Sequence, residues 1–296
     1  MKRICFLLIG CVIASASAHA GEPGVKQTIA YVQKLQTNTG GFLSQAPQPN
    51  IRIAPTLRAT SAGVRALKYL GAELPNKEAC IKYVESCHDA ETGGFGDMPK
   101  GKPDVFTTAV GLMAVTELKL PTEKYAKGAV KYLSDNAKTF DDIRIAVAGL
   151  ERLKMKSAKN FEWLKEVKQG MSEDASFGTG PGQARETASR VVTLLRLGRV
   201  PDADNSILKI LSAGQRQNGG WGKADNEIAS DLETTYRVMR CYHMLKGKPG
   251  NVEGVRSFVA KCRNADGGYG IAPGQTSTIA GTYFAAIILH WLKESN

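Results

Sequence analysis

The sequence predicts an all-α protein: a closed double ring of about six helical hairpins, an α6/α6 barrel. Three observations carry this expectation. A Gly-Gly-aromatic phrase recurs along the chain. An amphipathic helical pattern precedes each copy, and a more uniformly apolar one follows it. Strand signals are almost absent, with no sustained period-two run between hairpin turns.

The phrase stands at Gly40-Gly41-Phe42, Gly93-Gly94-Phe95-Gly96, Gly219-Gly220-Trp221-Gly222 and Gly267-Gly268-Tyr269-Gly270. Ser176-Phe177-Gly178 is a worn fifth copy. Anchored on Gly41, Gly94, Ser176, Gly220 and Gly268, the spacings are 53, 82, 44 and 48 residues. The long gap holds one more unit whose turn has degenerated near Asn136 to Asp142. Six units of about 45 residues mark an array of helical hairpins.

The helices upstream of each phrase carry one apolar stripe. Val25, Ile29 and Val32 recur at helical spacing, as do Tyr125, Ala129 and Tyr132, and Val255, Phe258, Val259 and Cys262. One buried stripe and one wet face describe an outer helix. The downstream helices, such as Val110 to Val115 and Ile279 to Leu292, are apolar on most faces and belong inside. The Gly pair is expected to supply the left-handed turn that stops the outer helix, with the aromatic plugging the seam between units. Pro75, Pro121, Pro201 and Pro249 fall in the short connections after inner helices.

Residues 1–20 are a separate object. Lys2 and Arg3 open the chain, Ile4 to Ile13 are almost wholly apolar, and Ala18-His19-Ala20 precedes Gly21. This is the pattern of a secretory signal peptide. The expectation is an exported chain, periplasmic or extracellular, with one domain over residues 22–296. No later segment reaches the ~20 apolar residues of a membrane helix. The formal net charge is +11; without Lys2 and Arg3 it is 37 basic against 28 acidic side chains, or +9. Lys and Arg are dispersed and no nucleic-acid module signature appears, so nucleic acid is not an expected partner. Cys80, Cys87, Cys241 and Cys262 remain after the leader. Cys80 and Cys87 share a helix face about 10 Å apart along the axis, too far to bridge each other. No C-x-x-C occurs, which argues against a zinc ribbon or a redox pair.

The stretch Tyr83-Val84-Glu85-Ser86-Cys87-His88-Asp89-Ala90-Glu91-Thr92-Gly93-Gly94-Phe95-Gly96-Asp97 resembles the repeat of protein prenyltransferase β subunits and squalene cyclases. The copies around Gly219 and Gly267 match the same pattern, and Asp142-Ile143-Arg144 resembles an Asp-x-Arg element that opens an inner helix in those β subunits. The closest flavour is the protein geranylgeranyl transferase β subunit, and the likeness covers nearly all of residues 22–296. It implies an α/α toroid with a central pocket for an isoprenoid tail, an α-subunit partner, and a zinc ion held by Asp, Cys and His. It specifies a fold strongly and a reaction weakly.

The implied zinc ligands carry over at one position of three. Asp231 matches the Asp. Glu233 stands where Cys is expected, and Gly281 occupies the His position. Carboxylates suit a harder divalent cation better than zinc–thiolate chemistry. The His of the implied diphosphate site is replaced within Arg185-Glu186-Thr187-Ala188, while Arg190 and Lys223 offer positive charge. The squalene cyclase acid, Asp-x-Asp-Asp, has only Asp141-Asp142 here. No H-E-x-x-H, phosphate loop or Gly-x-Ser-x-Gly elbow occurs.

One polar cluster remains. Asp231, Glu233, Tyr236 and Arg237 open one buried helix, and Arg144, Glu186 and Arg190 open its neighbours. In a ring these termini converge at one mouth. The groups either pair in an internal salt-bridge network or rim a pocket with an apolar floor. The expected role is a central pocket for a small apolar, isoprenoid-like or peptide ligand, the zinc site lost. The alternative is an active prenyltransferase-like or cyclase-like enzyme with altered groups, Asp231 and Glu233 its catalytic candidates.

Overall fold

The structure, a computed structural model, describes residues 23–199, 204–223 and 229–294. Residues 1–22, with Cys5, Cys11 and the expected leader, lie outside the described residues, as does Pro201. Twelve α-helices occur among the described residues, with isolated bridges and no strand. The outer helices are α1 (Pro23–Lys34), α3 (Lys77–Ser86), α5 (Glu123–Asn136), α7 (Asn160–Val167), α9 (Asp204–Ala213) and α11 (Val252–Lys261). The inner helices are α2 (Leu57–Leu70), α4 (Val105–Glu117), α6 (Phe140–Arg152), α8 (Gln183–Arg196), α10 (Leu232–Met244) and α12 (Ile279–Glu294). Each inner helix packs on the next, and α12 returns to α2, so the ring is closed.

Local chemistry starts the inner helices. Thr56, Asp104, Thr139 and Asp231 each accept a hydrogen bond from an amide three residues on, and Asp104 and Thr139 form full capping boxes. The degenerate third turn is only residues 137–139, with Thr139 as its cap. The first amide of an inner helix also reaches the neighbouring unit. Leu57 N–H donates to the Asp97 carbonyl at 2.7 Å, Leu232 N–H to Ile271 at 2.8 Å, and Ile279 N–H to Ser44 at 2.8 Å, the last closing the circle.

The glycines do not stop the outer helices, contrary to expectation. α3 ends at Ser86 on a right-handed Cys87, and α11 at Lys261 on a right-handed Cys262, several residues before Gly93 and Gly267. The first glycine of each pair instead takes a left-handed φ, +77° at Gly93 and +88° at Gly267, and presses on the backbone of the next outer helix. A Cβ on Gly93 would sit 2.4 Å from the Gly128 backbone in α5, and one on Gly267 2.5 Å from the Gln27 carbonyl in α1. The second glycine meets a ring of that same helix: Gly41 meets Tyr83, Gly94 Tyr132, Gly220 Phe258 and Gly268 Tyr31. The phrase is therefore a docking point between units.

The aromatic does plug the seam. Phe42, Phe95, Phe177 and Trp221 are fully buried. Its amide donates each time to a threonine hydroxyl on the following inner helix: Phe42 to Thr60 (2.9 Å), Phe95 to Thr108 (3.0 Å), Phe177 to Thr187 (3.0 Å), Trp221 to Thr235 (3.1 Å) and Tyr269 to Thr282 (3.1 Å). Five buried amides are thus satisfied by one device.

The inner helices are less uniformly apolar than expected. α4 and α12 are buried nearly all round. α2, α6, α8 and α10 carry arginines among their buried residues. Seven of those arginines, Arg58, Arg65, Arg144, Arg152, Arg196, Arg237 and Arg240, turn towards the central cavity of the ring.

Candidate functional site

The inner helices enclose one central cavity of about 640 Å³. That lies within the usual size for a small-molecule site, roughly 300–1,000 Å³. Its wall has three levels, set by position along the inner helices.

The level at the helix N-termini is charged. Glu233 gathers three cations: Arg237 at 2.6 Å, Lys223 at 2.9 Å and Arg185 at 3.6 Å. Burial alone would raise the Glu233 carboxyl, but the Lys223 hydrogen bond and the Arg237 charge outweigh it and hold the group down at about 2. Arg144 pairs with Asp141 at 3.0 Å, and burial together with the Arg237 charge lowers its pKa. Arg58 bridges Asp97 and Asp104 and lies over the Phe106 ring.

The middle level is an apolar belt from Ala59, Ala62, Val110, Met113, Ile145, Ala148, Ala188 and Val192. Below it, towards the helix C-termini, charge returns. Glu117 takes Lys68 and Arg152, and Glu151 takes Arg196 at 2.9 Å. Beside them two phenols stand between two guanidiniums. Arg65 donates to the Tyr283 hydroxyl at 2.9 Å, Tyr283 and Tyr236 share a hydrogen bond at 3.4 Å, and Arg240 donates to Tyr236 at 2.9 Å. Burial works to raise the Tyr236 phenol, yet Arg240, Arg65 and Arg196 overcome it and hold the group well below the ordinary tyrosine range. Burial raises Tyr283 in turn. Trp291 stacks on Tyr236 at 5.8 Å between centroids, and Phe284 lies 4.9 Å away.

Of the residues singled out from sequence, Arg144, Glu233, Tyr236 and Arg237 line the cavity. Lys223 reaches the rim through Glu233. Arg190 and Glu186 are not among the lining residues. They pair at 2.6 Å, and Arg190 lies over Phe140 while donating to the Val167 carbonyl, tying α8 to the end of α7. Asp231 caps α10: one oxygen accepts from the Thr234 amide and the other from the Thr234 hydroxyl, both at 2.8 Å.

These positions do not present a zinc donor set. Asp231 is committed to Thr234 and Glu233 to three cations. A Cβ at Gly281 would lie 2.4 Å from the Tyr269 carbonyl, so there is no room there for an imidazole. Among the described residues, no group of three or more His, Cys, Asp or Glu side chains is placed to hold a metal ion. Cys80, Cys87, Cys241 and Cys262 are buried thiols, and burial pushes those of Cys80, Cys87 and Cys262 up to about 12.

Sequence reasoning missed the lower charged level. Arg65, Arg152, Arg196 and Arg240 are not singled out by any sequence motif. The available signal was their place in the second half of inner helices, three or four residues after the cavity-lining Ala62, Ala148, Val192 and Tyr236. The floor is therefore ionic rather than apolar, and the apolar surface is the belt above it.

The family model of the prenyltransferase alpha-alpha toroid domain matches residues 63–133 and 122–296. The chain belongs to this family. No curated protein matches the sequence of this toroid. Solved structures share its fold at low identity. A variant of the type II terpene cyclase MstE from Scytonema, in complex with geranylgeranyl dihydroxybenzoate, superposes with a TM-score of 0.61 at 10% identity, covering 92% of this chain and 96% of that one. Candida albicans protein geranylgeranyltransferase-I, complexed with GGPP, gives 0.62 at 12% identity, covering 79% and 83%. A wild-type glycosidase gives 0.60 at 11%, covering 91% and 96%. At such identities the likeness establishes the toroid and not its chemistry. No helix among the described residues is long and apolar enough to cross a membrane.

Proposed function

We propose that this toroid is an exported binding protein that holds an apolar, isoprenoid-like ligand in its central cavity and does not use the family's zinc-dependent transfer chemistry. The observation that carries the reading is the apolar belt from Ala59 to Val192, which an alkyl or isoprenoid chain would cover. Charged levels on both sides of the belt would fix the ligand's depth. Two neighbours in fold are bound to geranylgeranyl compounds, which supports the ligand class. Export rests on the leader, Lys2 to Ala20.

Transfer chemistry has little support at the expected positions, because Asp231 and Glu233 are already committed within the protein. The carboxylates that match part of the cyclase acid are also engaged: Asp142 closes a capping box with Thr139, and Asp141 pairs with Arg144.

Native mass spectrometry of the mature chain with geranylgeraniol, an uncharged isoprenoid alcohol, tests the reading. One adduct per chain is expected. Spectra showing only the bare chain at saturating alcohol would overturn it.

A further inference from the structure

Of the seven arginines that line the cavity, Arg65 and Arg240 alone have no carboxylate partner among the described residues. Both line the cavity. Among the described residues their side-chain hydrogen-bond partners are the phenols of Tyr283 and Tyr236, and the Arg65 Nε also donates to the Ser61 carbonyl at 3.0 Å. The carboxylates at this level are taken elsewhere: Glu117 by Lys68 and Arg152, Glu151 by Arg196, and Glu294 by His290 at 3.2 Å. Among the described residues neither Arg65 nor Arg240 has a carboxylate partner, and the Arg240 Nε is buried with no hydrogen-bond acceptor. Removing such a charge from water is unfavourable unless an anion compensates it.

The geometry points to an anion site at Arg65, Tyr283, Tyr236 and Arg240, which takes the carboxylate or phosphate headgroup of an amphiphile whose apolar chain lies along the belt. Two guanidiniums, together with the one hydroxyl proton that the Tyr236–Tyr283 bond leaves over, offer donors from three helices, α2, α10 and α12, around one point of the cavity. Guanidinium forks match both headgroups in geometry and charge. The depressed Tyr236 phenol is a second sign: the field at this point is positive enough to favour an anion in place of a neutral group. The site also lies apart from the Glu233 level. Along α10, Glu233 and Arg240 are seven residues apart, about 10 Å of helix.

This inference rests on the binding reading above, so the probes separate the two. Hexadecanol, hexadecanoate and hexadecyl phosphate are measured by calorimetry on the wild-type toroid and on Arg65→Gln, Arg240→Gln and Arg240→Lys. At least one anionic probe is expected to bind about tenfold or more tighter than the alcohol, as a charged hydrogen bond warrants. Whichever anion wins identifies the headgroup. The preference should fall below about threefold in Arg65→Gln and Arg240→Gln through loss of anion affinity, and should survive in Arg240→Lys, which retains the charge and guards against loss of fold. Equal binding of alcohol and anions to the wild type would overturn the anion site and leave the apolar cavity standing. Failure of all three probes would overturn both.

Discussion

Gly267 and Gln27, from opposite ends of the described chain, meet where the ring closes. A Cβ on Gly267 would lie 2.5 Å from the Gln27 carbonyl, and the Thr28 hydroxyl donates to the Gly267 carbonyl at 2.8 Å. Arg263 adds a hydrogen bond to the Gln27 side chain at 2.7 Å. α1 is thereby held against the turn of the last unit, as α5 is held against the turn at Gly93.

Gly267→Ala should therefore destabilise the ring more than the backbone conformation alone requires. Gly274 is the control: its φ is +78°, close to the +88° of Gly267, but nothing lies within 4 Å of its would-be Cβ. Alanine at Gly274 should cost about 1–2 kcal/mol, the left-handed penalty. Alanine at Gly267 should cost clearly more, because the α1 backbone must retreat. Chemical denaturation of the two variants gives the difference directly.

The recurring threonine is a second structural test. Thr108→Val and Thr235→Val keep the side-chain shape but leave the buried amides of Phe95 and Trp221 without an acceptor. Each should cost about 1–3 kcal/mol, the penalty for an unsatisfied buried donor. A loss of only a few tenths in the same denaturation measurement would mean the seam is not organised by this bond.

Glu233 makes stability depend on acid. Its folded pKa, near 2, lies below the ordinary value of about 4.3, so it contributes stability above that ordinary value. The contribution is lost as pH falls through the window down to about 2. Glu233→Gln should lower Tm at neutral pH, where Arg237 and Arg185 lose their counter-charge, and should flatten the fall in Tm across that acid window. Thermal unfolding as a function of pH checks both.

Tyr236 should ionise unusually early. Arg240 on its own helix, Arg65 from α2 and Arg196 from α8 favour the phenolate, while Tyr283 from α12 shares its hydrogen bond. The folded charged form is stabilised, so its contribution to stability grows as pH rises through the folded pKa and levels off near the unfolded value of about 10. The near-ultraviolet tyrosinate band of the folded protein should show one residue titrating well below that value. Tyr236→Phe should remove it.

The ring was readable in the sequence because its signals are local. Gly-Gly-aromatic phrases require close backbone approach, and stripes such as Val255, Phe258 and Val259 follow helical spacing. The role of the glycines was misread because a left-handed residue after a helix looks the same whether it ends that helix or docks on the next. At the site, Arg144, Glu233, Tyr236 and Arg237 were found because charge at the start of an apolar helix stands out. Arg65, Arg196 and Arg240 were not, because an arginine in mid-helix reads as a solvent face. Only the closed circle shows that this face is turned inward. Asp231 was legible as a carboxylate but not as a cap, since both roles place Asp before a helix.

The central claim is that the belt inside the ring is a binding surface. The most direct measurement is titration of the wild type and of an Ala62→Phe, Ala148→Phe double variant with Nile red, an uncharged apolar dye, followed by fluorescence. Saturable binding of one dye per chain in the wild type, lost in the filled variant while it still unfolds cooperatively, is the predicted result. Undiminished binding to the filled variant, or none to the wild type, would contradict the account.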